Sequence, residues 1–501
     1  MIQKTIFFTL LFLINIYQSA ARHVTISGNA PDYVGCVITF HSIDNYFIKS
    51  EIKMGNCTVA ANGDFSVTFP CNDARTVYTR LGVFNVRFVV EPELSYEVIL
   101  PPRIDKLPEE MESPFFKESN VYMKILTVKD SNGQTINKEN ELNFKIFNFD
   151  SFFNILYDQL AMDAAKRCPD TWLDSCINIF RVNIPKTNNG YFNDYKFYSS
   201  GLLYYAAQRE GARYISDEFF AEKPELYNNP AYMELFNIAY DKYFMYFGRA
   251  NNTIYNVVNR QGSFSGLKRL LLQDGTLPAE SLCELIILKN LHDEFYAERF
   301  SRNAILHLLD SVMVHSKIER HRELAGGIRS KITRLLRGFE PPDFSLLKSD
   351  STLVSLHNYR DKYVYLMFCT TQNYTCLSKY KLLEELYQIH HKWLDIVVVS
   401  ADDNFSDMQY FKEKSGYLWD FLHFGNDPEL LQKYDVRMFP TCFLIDPAGK
   451  LVLSPAPAPE PNYDPDERTS NLERTLWREL NSKGLWQEYY RKGLINEPQN
   501  R

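Results

Sequence analysis

Tyr363–Cys376 reads YVYLMFCTTQNYTC, and Val436–Asp446 reads VRMFPTCFLID. The run Tyr363–Phe368 is apolar, β-branched and aromatic, the composition of a strand buried on both faces. A polar turn, Thr370–Thr375, follows, and a helix is expected to open around Cys376. The second stretch is another buried strand, with Pro440 at its entry. Proline cannot donate to a sheet ladder, so it belongs at a strand's first residue, at an edge or in a turn.

Around these stretches the pattern alternates strand and helix from Gly338 onward. Strand Tyr363–Cys369 leads to helix Cys376–His391, strand Ile396–Ser400 to helix Ser406–Ser415, and Phe421–Phe424 is a short strand. Asp427-Pro428 reads as cap and first turn of a helix through Tyr434. Strand Thr441–Asp446 turns at Pro447-Ala448-Gly449 into Leu451–Leu453. A proline-rich tract, Pro455–Pro465, precedes a last helix over Asn471–Tyr490. Alternation of this kind implies an α/β sheet.

These residues resemble the thioredoxin superfamily, in particular its secreted TlpA/ResA-like branch. Val436, Arg437, Pro440, Thr441, Phe443, Leu444, Ile445 and Asp446 follow the branch's V-R-x-x-P-T-x-F-L-I-D segment, whose proline is cis. Pro342, Asp343, Phe344 and Leu346 follow its P-D-F-x-L lead-in. The resemblance covers roughly residues 335–485 and implies a thioredoxin-like fold there. It also implies a Cys-x-x-Cys turn, which this chain lacks. Alignment on Phe368 puts Asn373 where the attacking cysteine stands and Cys376 at the second, resolving position. Exchange needs a thiolate, which an amide cannot supply. Lys379 stands where the family often has a glutamate. A peroxidatic cysteine of the peroxiredoxin kind would also fall near Asn373.

Cys376 is the candidate thiol for any surviving chemistry. A first helical turn stabilises a thiolate, and Lys379 adds positive charge. Cys369 and Cys442 are possible redox partners through a Cys369–Cys442 bridge or a Cys376–Cys442 exchange. The alternative is that all three cysteines are small buried hydrophobes. Asn373, Tyr374, Thr375, Phe439, Pro440 and Thr441 form the candidate binding surface. The expected partner is a protein or peptide, held through backbone pairing or by a mixed disulfide. The competing function is a thiol–disulfide oxidoreductase or isomerase acting through Cys376, alone or with Cys369 or Cys442.

The chain has 501 residues, about three domains by length, and a net charge of −7. That balance argues against nucleic acid as a partner. Residues 1–21 read as a secretory signal peptide: Lys4, an apolar core Thr5–Ile16, then Ser19-Ala20-Ala21. The apolar run is shorter than the ~20 residues a span needs, which favours cleavage over anchoring. No span is expected afterwards, and the expected location is the periplasm or cell envelope. Residues 22–102 read as a β-sandwich of short alternating strands, with a hairpin signal at Asn62-Gly63-Asp64. Residues 103–139 read as a linker and 140–337 as an α-helical region; 338–492 is the thioredoxin-like domain. The expected whole is a multidomain chain: N-terminal β-sandwich, α-helical middle and C-terminal α/β fold.

Nine cysteines in an exported chain permit disulfides. Cys57–Cys71 and Cys168–Cys176 are candidate bridges, with free thiols as the alternative. Aromatic stripes in the helices read as core, with a ligand groove as the alternative. His315 with His321, and His390 with His391, lack metal-ligand spacing and read as solvated helix faces. No metal site and no cofactor is expected.

Overall fold

The computed structural model describes residues 22–107, 116–164, 186–206, 212–273, 279–297, 299–459 and 471–482, with single positions 175, 277, 484 and 487. The signal-peptide reading and the Cys168–Cys176 pair lie outside the described residues. The chain divides into two compact units. One draws on residues up to Asp105, on Glu118–Tyr243 and on Lys268–Ile286. The other draws on Lys106–Lys117, on Phe244–Leu267 and on residues from Ile287 onward.

In the first unit nine strands form two sheets around one core. The strands are β1 His23–Asn29, β2 Val37–Asn45, β3 Ser50–Thr58, β4 Asp64–Pro70, β5 Arg75–Leu81, β6 Phe84–Val90, β7 Ser95–Ile99, β8 Ser119–Tyr122 and β9 Lys124–Lys129. One sheet has the order β4-β1-β7-β9 and the other β3-β2-β5-β6-β8. Alternation explains the pairing of the two sheets. In β4 and β7 every second residue is buried. Val24, Ile26, Phe69 and Val98 from one sheet share a core with Ile38, Phe40, Val77 and Phe88 from the other.

Two readings of this region are corrected, and one alternative left open is decided. The stretch 103–139, read as a linker, carries two strands. There β8 adds parallel to β6, and β9 adds antiparallel to β7. Asn62-Gly63-Asp64 is not the turn of a paired hairpin, because it joins β3 of one sheet to β4 of the other. Asn62 instead accepts the Asp64 N–H in an Asx turn, with Gly63 at φ +85°. Cys57 and Cys71 are free thiols. They sit on or beside strands of different sheets, and Cys71 Sγ donates to the Asp73 carbonyl.

The helices that follow are α1 Leu142–Ala164, α2 Gly190–Ala206, α3 Ala212–Phe219, α4 Pro230–Ala239, α5 Tyr243–Ala250, α6 Thr253–Asn256, α7 Phe264–Leu271, α8 Glu280–Ala297, α9 Arg302–His315 and α10 Glu319–Thr333. Asn229 caps α4, accepting the Ala231 and Tyr232 N–H groups, with Pro230 in the first turn. Helices α4 and α5 are separate, with Lys242 left-handed at φ 52° just before α5. Tyr198, Phe220, Tyr232, Phe236 and Tyr240 are buried against one another. His321 is fully buried, so its placement on a solvated face is corrected, and His390 is buried too. The apolar side of α10 carries His321 inward with Leu324, Ala325 and Ile328. His315 and His391 are exposed.

The C-terminal sheet contains β10 Ser345–Lys348, β11 Leu353–Ser355, β12 Tyr363–Cys369, β13 Leu394–Ser400, β14 Asp420–His423, β15 Thr441–Ile445 and β16 Leu451–Ala456. Its order is β11-β10-β14-β13-β12-β15-β16. Strand β12 runs parallel to β13 and antiparallel to β15. Every residue of β12 is buried, as a strand covered on both faces requires. Its helices are α11 Tyr374–His390, α12 Phe405–Ser415, α13 Pro428–Lys433 and α14 Asn471–Ser482. Tyr363, Tyr365, Met367 and Cys369 face a core with Cys376, Tyr380 and Leu383 of α11, Met408 of α12 and Leu472 of α14. Val364, Leu366 and Phe368 face the opposite core with Leu430 of α13 and with Tyr434.

Among the described residues no helix is long and apolar enough to cross a membrane. Leu444 lies opposite Tyr365 and is fully buried. Leu444→Ala is expected to cost about 2–5 kcal/mol. Guanidinium unfolding followed through Trp393 and Trp419, both in the same core, checks this as a lowered midpoint.

Candidate functional site

Phe368 pairs with Thr441 across the antiparallel β12–β15 ladder. The turn after β12 and the loop before β15 therefore emerge at the same end of the sheet. Alternation then settles the side each cysteine takes. Cys369 and Cys442 face the same core, the one that also receives Cys376 from α11.

Cys369 and Cys376 are joined by a disulfide, with Cα atoms 6.0 Å apart. The expectation that the three cysteines are unbridged packing residues is corrected for this pair. The bridge runs from the last residue of β12 to the first turn of α11. Both residues are wholly buried, at 0 % exposure.

Cys442 remains a free thiol, paired in register with Met367. Burial pushes it up to about 12, although the Tyr365 hydroxyl and the Lys379 charge pull the other way. The Tyr365 hydroxyl also donates to the Pro457 carbonyl at 2.8 Å. A Cys369–Cys442 bridge is not formed.

Asn373 takes a definite role. Its extended backbone ends the turn, and its Oδ1 accepts the Thr375 N–H at 2.9 Å and the Cys376 N–H at 3.2 Å. It is the N-cap of α11, so the helix starts two residues earlier than the sequence suggested. Asn373 thereby satisfies backbone donors that an N-terminus otherwise leaves open. Tyr374 projects from the same turn at 84 % exposure, and Met438 from the facing loop at 66 %. Phe439–Pro440 is a cis peptide. Thr441 Oγ1 donates to the Met438 carbonyl at 2.7 Å, and Phe439 packs against both cores.

A polar group missed by the sequence reading holds the turn from behind. Buried Asp402 accepts the Thr371 N–H at 3.0 Å and the Ser400 hydroxyl. The Gly425 N–H donates to His423 Nδ1, so Nε2 carries the proton and donates to the Asp402 carbonyl at 2.8 Å. The signal was the run Ser400-Ala401-Asp402-Asp403 directly after an apolar strand. It marks a strand end whose polar side chains have backbone partners within reach.

Residues 338–454 match the sequence profile of the AhpC/TSA family. Residues 338–454 form a thioredoxin-like domain of this family. The curated relatives include the thiol-disulfide oxidoreductases ResA of Bacillus cereus and Bacillus subtilis. The first is 26% identical over 127 residues, covering 25% of this chain and 73% of the relative. The second is 28% identical over 117 residues, covering 23% of this chain and 64% of the relative. Among solved structures, the thioredoxin domain of a thiol-disulfide oxidoreductase from Bacteroides vulgatus is 24% identical. It covers 29% of this chain and 98% of that one, with a TM-score of 0.24. A thiol:disulfide interchange protein from Bacteroides sp. is 25% identical, covering 25% of this chain and 84% of that one, also at 0.24.

Within this thioredoxin-like domain no group of ligating side chains able to hold a metal occurs among the described residues. Asn373→Ala is expected to cost about 1 kcal/mol through loss of the cap, and Asn373→Asp to retain it; unfolding midpoints of the two variants check this. Cys442 is expected to resist iodoacetamide in the native protein at pH 8 and to label on denaturation, read by mass spectrometry.

Proposed function

We propose that the C-terminal domain is a thioredoxin-like binding module with a degenerate active-site motif. Its partner is an extended protein or peptide segment laid across Asn373-Tyr374-Thr375 and Phe439-Pro440-Thr441. The observation that carries this reading is the contrast at one end of the sheet. Both bridged sulfurs have no exposure, while Tyr374 and Met438 stand out beside them. Disulfide exchange needs an attacking thiolate to reach a sulfur, and here the turn covers both. An exposed aromatic and a methionine beside a cis-proline loop suit contact with an extended chain, whose backbone pairs with loop groups. In this reading residues 1–21 direct export, and the mature protein works in the periplasm or cell envelope.

The bridge also supports a second reading. Cys376 is the candidate thiol for a surviving oxidoreductase, with Cys369 or Cys442 as possible partner, and it is bonded to Cys369 at the turn after β12. Turnover would then require the segment Thr370–Thr375 to open.

Insulin reduction with dithiothreitol separates the two. The binding reading expects the native protein to give no more than the uncatalysed rate. The variant Asn373→Cys with Cys369→Ser restores a Cys-x-x-Cys spacing and is expected to gain turnover. Native turnover that disappears in Cys376→Ser would establish the second reading instead. For export, the N-terminus of the secreted protein is expected at Arg22 or close to it by Edman sequencing. An intact Met1 in the exported fraction would contradict the assignment.

A further inference from the structure

The first unit has a half-open cavity of about 480 Å³ between the outer face of its five-stranded sheet and helices α1, α2 and α4. Nothing in the thioredoxin-like reading uses it. We propose that this cavity is a binding site for a neutral saccharide of one or two rings.

The floor is built by cross-strand register. His41, Tyr78, Arg87 and Tyr122 stand opposite one another across β2, β5, β6 and β8. The next row across β5, β6 and β8 is Arg80, Asn85 and Asn120. Apart from His41, all of these residues line the cavity. The rows are knitted together: Asn85 Nδ2 donates to Asn120 Oδ1 at 2.8 Å, and the Arg87 guanidinium lies 5.1 Å over the Tyr122 ring. The roof is α1 and its neighbours. Asp150 of α1 accepts the Tyr195 hydroxyl at 2.8 Å and the Tyr122 hydroxyl. The stacked rings of Phe153 and Tyr157 supply an apolar wall.

Three features select the ligand class. The first is charge. Lys49, Arg80 and Arg87 face Glu51, Asp150 and Glu234, so the lining carries no excess that would draw an ion. Arg80 is already held by two bonds to Glu51. The second is hydrogen-bond demand. Asn85 Oδ1 is buried with no partner, and an unmet buried acceptor calls for a donor. Guanidinium and amide donors lie among amide and carboxylate acceptors, so a matching ligand must both donate and accept at closely spaced points. Vicinal hydroxyls do both. The third is geometry. The floor is the face of a sheet, which offers side chains, so an extended peptide cannot add to it through backbone pairing. Burial also raises the carboxyls of Asp150 and Glu234, so hydroxyl donors would lower the cost of keeping them ionised. The volume falls in the range of small-molecule sites.

Saturation-transfer NMR on the full mature protein tests this with glucose, galactose, N-acetylglucosamine, maltose, cellobiose and lactose. At least one sugar is expected to bind. Its Kd is expected to rise about tenfold or more in Asn120→Ala and in Arg87→Gln, the loss of one well-made polar contact. Circular dichroism confirms that each variant folds, and Asn120→Ala alone suffices if Arg87→Gln does not. Absence of transfer from every sugar overturns the proposal. So does binding unchanged in the variants, or binding confined to inorganic phosphate or the tripeptide Gly-Gly-Lys.

Discussion

The bond from Cys369 to Cys376 ties the end of the central strand to the first turn of its helix, and the surface at that end of the sheet depends on it. Strand β12 is buried along its whole length and is flanked by β13 and β15. Helix α11 presses Cys376, Tyr380 and Leu383 onto the same face. The bridge fixes the six residues between the two cysteines at both ends. Asn373 then caps the helix, and Asp402 takes the Thr371 N–H from behind. With its backbone groups engaged this way, the turn presents Tyr374 outward while it seals the sulfurs inward.

This arrangement changes what the thioredoxin-like frame can do. In the family resemblance, the first cysteine is a nucleophile and the second resolves. Here Asn373 is a helix cap, and Cys376 is bonded to Cys369 at the strand end. A helix start favours a thiolate, while both bonded cysteines are without exposure. The fold alone does not assign an activity. The chemistry at the site therefore turns on whether the turn stays closed.

The two strands around Phe368 and Pro440 were legible because their apolar runs and cis-proline segment are dense, local signals. Their register came from the structure, and most helix bounds expected in this domain fall within two residues. The disulfide was not legible. Cys369 was paired with Cys442 in the candidate bridge, and the side it faces depends on strand alternation that the residues alone left open. The capping role of Asn373 was hidden by its reading as a lost cysteine. Strands β8 and β9 were missed because both lie between polar stretches and β8 is mostly exposed. The cavity in the first unit was invisible for a related reason. Arg80 and Arg87 lie on different strands and Asn120 in the stretch read as a linker, and only cross-strand register lines them up.

The most direct test is the native reducibility of the bridge. The protein is held in graded dithiothreitol without denaturant, quenched at intervals with a heavy-isotope alkylating reagent, then unfolded, reduced and labelled with the light form. Mass spectrometry of the Cys369 and Cys376 peptides reads the result. Both are expected to carry the light label until the protein is unfolded by guanidinium. Rapid heavy labelling of either cysteine in the folded protein, with the bond re-formed on removing the reductant, would contradict a sealed turn.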